Sequence, residues 1–215
     1  MIDLMVTFVN FLLHFDTHLI WFTDTYGVWV YLLLFLIIFC ETGLVITPVL
    51  PGDSMIFAAG TLAAAGSMDV WLLFAVMSVG AILGDTVNYW IGKTLGPGVV
   101  YRNHIKWIKR EYIEKTELFY KKHGGKTVIL ARFIPIIRTF APFLAGVGSM
   151  KYYRFLFYNV GGGLLWVSLF LFGGFFFGNI PLIRDNFTVV IMILILSSFI
   201  PVFIAFFKHK SVKNS

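Results

Sequence analysis

Apolar residues dominate four stretches of the chain at lengths suited to a bilayer. Residues 28–46 contain the run VWVYLLLFLIIFC, and residues 70–92, 155–178 and 187–207 form three more. A helix needs about 20 apolar residues to cross a hydrocarbon core of roughly 30 Å, so each predicts a transmembrane helix. Pro201, in the last stretch, falls near an end, where proline is tolerated. Two other apolar stretches are too short and too broken to span: 43–64 (GLVITPVLPGDSMIFAAGTLAA) and 127–148 (TVILARFIPIIRTFAPFLAGVG). Each has two prolines, an Ala-Gly close and ionisable residues in its middle. Proline removes a backbone donor and breaks a helix. Irregular backbone at membrane depth survives only where protein covers it or it lines a wet cavity. Both stretches therefore predict re-entrant helical hairpins.

The two broken stretches resemble each other. Pro48 aligns with Pro135, and Ala59-Gly60 with Ala145-Gly146, once a one-residue gap is allowed. The segments after them also match loosely: Gly84, Tyr89 and Gly92 after the first, Gly161–Gly163, Trp166 and Gly173 after the second. Interrupted hydrophobic segments in corresponding halves of a membrane chain point to a transporter's binding site.

Charge sets the expected orientation. No Lys or Arg precedes Lys93, and nine of the seventeen lie between Lys93 and Lys126. Lys208, Lys210 and Lys213 stand at the end. Cytoplasmic loops hold the excess of Lys and Arg, so the central loop and the C-terminus are expected inside. The span 70–92 then runs inward, and the first hairpin enters from outside. The second hairpin comes after the loop and enters from inside, so the repeat is inverted. Two hairpins that meet near the midplane suit an alternating-access carrier. Residues 1–25 carry Asp3, Thr7, Asn10, His14 and Thr17/His18 along one helical face, which suits an interfacial helix better than a span. They show no basic start or small-residue cleavage site, so no removable signal peptide is expected. In the linker 93–126, residues 101–122 place Tyr101, Ile105, Ile108, Tyr112 and Phe119 on one stripe, with Glu111–Lys115 and Glu117–Lys121 as i,i+4 pairs. This predicts an amphipathic helix on anionic lipid, the other reading being a solvated connector.

The expected fold class is an all-α polytopic membrane protein, one domain over 1–215. Residues 26–92 form a first repeat, 127–178 a second, 187–207 a last span and 208–215 a cytoplasmic tail. Composition agrees: 59% of residues are hydrophobic and 13% charged, against about 25% charged in a soluble domain. The basic block is thereby read as topology, and no nucleic-acid partner is expected. The lone Cys40 excludes a disulfide framework and reads as a small buried hydrophobe. His14 and His18 lack a third ligand, so no metal or other cofactor is expected.

Four ionisable residues stand in or beside the hairpins: Glu41, Asp53, Arg132 and Arg138. A charge at the bilayer centre costs roughly 2.5–3.5 kcal/mol, so four unpaired would cost about 10 kcal/mol. They must pair, face water or be neutral part of the time. A structural reading makes them two buried salt bridges, but buried ion pairs are poor stabilisers. The functional reading gives Arg132 and Arg138 a phosphate head group, since guanidinium forks fit phosphate. Pro135 between them sets them on either side of a break. Burial favours a neutral carboxyl and a nearby guanidinium a charged one, a balance that lets Glu41 and Asp53 carry protons. Asp85 and Asn88, one turn apart, would either hydrogen-bond the broken hairpin backbone or extend a proton path; the structural role is favoured. Trp166, Tyr89 and nearby glycines read as helix packing.

The stretches FCETGLVITPVLPGDSMIFAAGTLA, GDTVNYWIG and KHGGKTVILARFIPIIRTFAPFLAG closely resemble the bacterial DedA family of inner-membrane proteins. The motif Pro51-Gly52-Asp53, the ARF-x-P that ends at Pro135, Glu41 and Arg138 occur together at family spacing. The resemblance implies lipid transport, for some members the recycling of undecaprenyl phosphate, and dependence on the proton-motive force. It places the family's membrane acids on Glu41 and Asp53 and its arginines on Arg132 and Arg138.

The expected function is a flippase for an anionic phospho-lipid, undecaprenyl phosphate or a phospholipid, in the bacterial cytoplasmic membrane. Its partners would be membrane lipids, an anionic head group and protons, with an oligomer left open. Two alternatives remain: a proton-coupled small-ion antiporter, which leaves the arginines unexplained, and a structural role in membrane homeostasis. An enzyme is not expected, because no membrane histidine partners Ser54 and no phosphatase cluster is present.

Overall fold

A computed structural model describes residues 26–44, 52–102, 125–148, 150–178 and 180. The expected helix over 1–25, Pro48, Pro51, most of the linker, the span 187–207 and the tail lie outside the described residues. Six helices make up the described chain: α1 (Trp29–Gly43), α2 (Gly52–Ala64), α3 (Val70–Arg102), α4 (Lys126–Ala131), α5 (Pro135–Val147) and α6 (Tyr152–Phe177). Two are long and apolar enough to cross a membrane, Val70–Leu95 and Tyr152–Phe177, each of 26 residues. At 1.5 Å per residue each spans about 39 Å, ample for the hydrocarbon core. By the same rise, the 15-residue α1 reaches about 23 Å.

The helix expected over 70–92 continues ten residues further, to Arg102. Lys93 marks the boundary expected from charge, but a charge does not stop a helix. Thr94 Oγ1 donates back to the Trp90 carbonyl at 2.8 Å, inside the same helical run. By contrast, the second broken stretch is a helix, a break and a helix. Arg132, Phe133 and Ile134 donate their N–H groups to Ile129, Leu130 and Ala131 at 3.3, 3.2 and 3.0 Å, tightening the end of α4 into i→i−3 bonds. Ile134 is extended, at φ −120° and ψ 107°, as the residue before a proline must be. Pro135 then opens α5 at the position where a missing N–H costs nothing. Pro142, inside α5, cannot donate to the Arg138 carbonyl.

The described chain divides into two compact units. The first holds α1 up to Phe35, α2, α3 up to Met77 and α6 from Val167; the second holds α1 from Leu36, α3 from Ser78, α4, α5 and α6 up to Trp166.

In the first unit α2 ends because Gly66 takes φ +86°, a conformation suited to glycine. Gly66 and Ser67 donate to the Ala63 and Leu62 carbonyls at 3.0 and 3.1 Å, closing a Schellman motif. Asp69 then caps α3, its Oδ1 accepting from Leu72 N–H at 2.7 Å. Helices α2 and α6 touch backbone to backbone. A Cβ at Gly60 would overlap the Leu171 carbonyl, and one at Gly174 would overlap the Phe57 carbonyl. Thr61 Oγ1 lies 3.2 Å from the Phe57 carbonyl and 3.4 Å from that of Gly174.

The second unit repeats this contact with other helices. A Cβ at Gly146 of α5 would overlap the Tyr89 carbonyl of α3, and one at Gly92 of α3 would overlap the Phe143 carbonyl of α5. Both clasps use the same spacing, Phe57-x-x-Gly60 and Phe143-x-x-Gly146 facing Leu171-x-x-Gly174 and Tyr89-x-x-Gly92. Around the second clasp Tyr89 stacks on Phe155, centroids 4.6 Å apart, and its hydroxyl donates to the Met150 carbonyl. Helix α1 meets α3 just as closely, since a Cβ at Gly84 would overlap Thr42 Oγ1.

The surface is apolar where a soluble protein's would be polar. Exposed positions on α6 include Tyr153, Phe157, Leu165, Leu169 and Phe176, at helical intervals of four, seven or eight, and on α3 Leu72, Val79, Leu83, Val87 and Trp90. Such stripes fit contact with lipid. Glu41, Asp85, Asn88, Arg132, Arg138 and Asn159 are instead all buried. Cys40, expected buried, is half-buried.

Candidate functional site: a paired-charge cluster in the second unit

The break between α4 and α5 places Arg132 at the C-cap of one helix and Arg138 in the first turns of the next. Each guanidinium meets a buried carboxylate. Arg132 Nη2 pairs with Asp85 Oδ2 of α3, and Arg138 Nη2 with Glu41 Oε1 of α1. Glu41 has no exposed surface and Arg132 is 4% exposed. Arg138 is the second cation within electrostatic range of both Asp85 and Arg132.

Uncharged groups hold these pairs in place. Arg132 Nη2 also donates to Asn159 Oδ1 of α6. Asn159 is itself aimed by its amide, which donates to the Ile82 carbonyl at 3.0 Å and reaches Thr86 Oγ1 at 3.5 Å. Gly162 and Gly163 form a shelf beneath the same side chain. A Cβ on Gly162 would stand 3.2 Å from Arg132 Cδ and 3.4 Å from Nε, and one on Gly163 3.6 Å from Nη2. Arg132 Nε is buried with no hydrogen-bond partner. Arg138 has its guanidinium carbon 5.1 Å from the Trp166 ring centroid, a cation–π arrangement.

Asn88 ties the second pair together. Its amide donates to the Thr42 carbonyl at 3.1 Å and to the Thr139 carbonyl at 2.7 Å. Thr42 is next to Glu41 in the chain and Thr139 next to Arg138, so one side chain pins the backbone beside both partners. Asn88 Oδ1 is buried without a partner.

The structure thus brings Glu41, Asp85, Asn88, Arg132 and Arg138 into one unit. Asp85, expected in support, is the direct partner of Arg132. Asp53 and Gly52 belong to the first unit, in the opening turn of α2, with Gly52 buried and Asp53 partly so. Pro135 starts α5, and Pro51 lies outside the described residues. Sequence reasoning missed Asn159, Thr139 and the glycine shelf, and gave Trp166 to packing alone. Asn159 did carry a signal, because a lone amide inside a 26-residue apolar span has to be satisfied there. Nothing in the sequence marks Trp166 as the ring beside Arg138.

Helices with apolar exteriors and ionised interiors define an integral membrane protein. The chain belongs to the VTT-domain family, the DedA proteins: the VTT domain matches residues 50–176. It is 50% identical over 210 residues to Protein DedA of Escherichia coli (strain K12), covering 97% of this chain and 96% of that protein. It is 40% identical over 169 residues to an uncharacterized membrane protein of Mycobacterium leprae, covering 79% of this chain and 76% of the relative. To Inner membrane protein YqjA of Escherichia coli it is 34% identical over 151 residues, with 70% and 69% covered. No solved structure matches the chain.

Proposed function

We propose that the protein is a carrier, not an enzyme, and moves an anionic phospho-lipid across the bacterial cytoplasmic membrane with coupling to the proton-motive force. The cargo is undecaprenyl phosphate or a phospholipid. One observation carries this reading: two guanidinium groups, each paired with a carboxylate, are buried around a proline break in a membrane protein. Guanidinium matches phosphate in shape and charge. A scaffold alone would be served at lower cost by the small-residue contacts this chain already uses. In this reading Arg132 and Arg138 hold the phosphate, and Glu41 and Asp53 carry protons. In the same reading the stretches 43–64 and 127–148 are the re-entrant hairpins of an inverted repeat with four spans. The central loop and C-terminus face the cytoplasm, as the basic residues require.

The test is translocation of a labelled polyprenyl phosphate by purified protein in liposomes, with and without a pH gradient. Transport above protein-free vesicles that responds to the gradient is the expected result. Transport of phospho-lipid at the protein-free rate under both conditions would refute the reading.

A further inference from the structure

We propose that Asp85 is a proton-operated latch on Arg132: charged, it holds the guanidinium, and protonated, it yields that cation to an anionic head group. The inference rests on the carrier reading and adds to it a proton site beyond Glu41 and Asp53.

Arg132 is already occupied. Its Nη2 is shared by Asp85 and Asn159, and Arg132 and Asp85 are both buried. A phosphate that approaches this cation meets a fixed carboxylate on the same group. Two anions on one guanidinium at membrane depth leave a net buried negative charge, which is costly. Asp85 cannot leave, because it sits in the middle of α3 with its backbone in the helix. It can be discharged only by taking up a proton. The proton enters from water onto the carboxylate, Arg132 stays protonated, and the proton returns to water when the anion departs.

Asn159 makes such a cycle workable. A latch needs a second, neutral hold, or the guanidinium would swing away when the carboxylate is discharged. Asn159 Oδ1 is that hold, oriented by its own amide on the Ile82 carbonyl and therefore indifferent to the charge of Asp85. The glycine shelf keeps the side chain beside α6. The partnerless Nε then offers an incoming oxyanion a donor that displaces neither neighbour.

Among the described residues, the charged groups facing Asp85 are Arg132 from the break and Arg138 from α5. Glu41 of α1 is engaged with Arg138. Asn159, the group α6 contributes here, is neutral at every pH.

Two measurements on the purified full chain in detergent test this. Infrared difference spectra with 13C-labelled aspartate, acidified from about pH 8 to pH 5, read carboxyl protonation directly. The expected acid band is lost in Asp85→Asn and leaves the labelled set in Asp85→Glu, which keeps a carboxyl should the asparagine variant fold poorly. Binding of farnesyl phosphate is then tracked by calorimetry across the same range. Wild-type affinity should rise by up to about tenfold per pH unit on acidification, with proton uptake. At high pH Asp85→Asn should bind more tightly than wild type, the gap closing as the pH falls, with one proton fewer taken up; the ligand's own titration cancels because the two proteins are compared at the same pH. No aspartate band assignable to Asp85, or an Asp85→Asn variant that binds more weakly at every pH with unchanged proton uptake, overturns the latch. Wild-type protein that binds no farnesyl phosphate at any pH overturns the head-group reading instead, and the infrared band still decides whether Asp85 takes a proton beside Arg132.

Discussion

Replacing Asn88 with alanine removes the amide that holds the backbone beside Glu41 to the backbone beside Arg138. Two hydrogen bonds go, at 3.1 and 2.7 Å, both fully buried. Each contributes about 1 kcal/mol net, and each buried acceptor left unfilled costs about 1–3 kcal/mol. The Thr42 carbonyl is the more exposed to this loss, since it lies in the last turn of α1, where helix carbonyls lack later partners. A total near 2–4 kcal/mol is expected. For a chain of this size that lowers the melting temperature by roughly 5–15 °C. Asn88→Asp should be worse than alanine although it keeps the shape, because a carboxylate has no donor and would face two carbonyl oxygens. The assay is thermal unfolding in detergent of wild type, Asn88→Ala and Asn88→Asp, and then phospho-lipid transport by each variant that folds. An aspartate variant as stable as wild type, or alanine melting within about 1 °C of it, would refute the bridging role.

Arg132→Lys and Arg138→Lys keep the charge but lose the fork. Both should fold, and both should slow transport in liposomes; normal rates in both would remove them from the phosphate site. Glu41→Gln removes the carboxylate counter-charge of the buried Arg138 and should cost up to about 3–5 kcal/mol, less up to about 2 kcal/mol from the cation–π contact with Trp166. Melting temperature reads the difference, and exchange of Glu41 and Arg138 with each other should restore the melt while leaving the response to a pH gradient lost. Gly60→Ala and Gly146→Ala each drive a methyl into a backbone carbonyl and should each cost about 1–3 kcal/mol, seen as reduced yield of folded protein.

The break in segment 127–148 was legible because its signal is local: Pro135 forces the residue before it out of the helical region whatever surrounds it, whereas Pro142 lies inside α5. The identity of Arg132 and Arg138 as buried cations was legible for the same reason, since a charge inside an apolar run has few destinations. Their partners were not. Pairing depends on which helix faces which, and nothing in the spacing of Glu41, Asp53 and Asp85 says that Asp85 rather than another acid meets Arg132. The C-terminal end of α3 lies beyond the expected one because Lys93 changes the solvent a helix can tolerate but not the backbone hydrogen bonding that continues it. Glycines were the least legible. Gly162 and Gly163 read as generic packing, yet they leave room for one particular side chain, and only three-dimensional contact separates those meanings.

The two glycine clasps have a consequence for how the halves of the chain fold. In each, a helix from one half of the sequence meets a helix from the other: α2 with α6, and α5 with α3. Neither half therefore closes its own clasp. A chain cut in the linker would yield two pieces, each presenting a Phe-x-x-Gly edge whose counterpart sits on the other piece, so the pieces are mutually templating. Synthesis of the first half alone leaves α2 waiting for α6. Each half thus lends an arm to the other, α2 to α6 and α3 to α5.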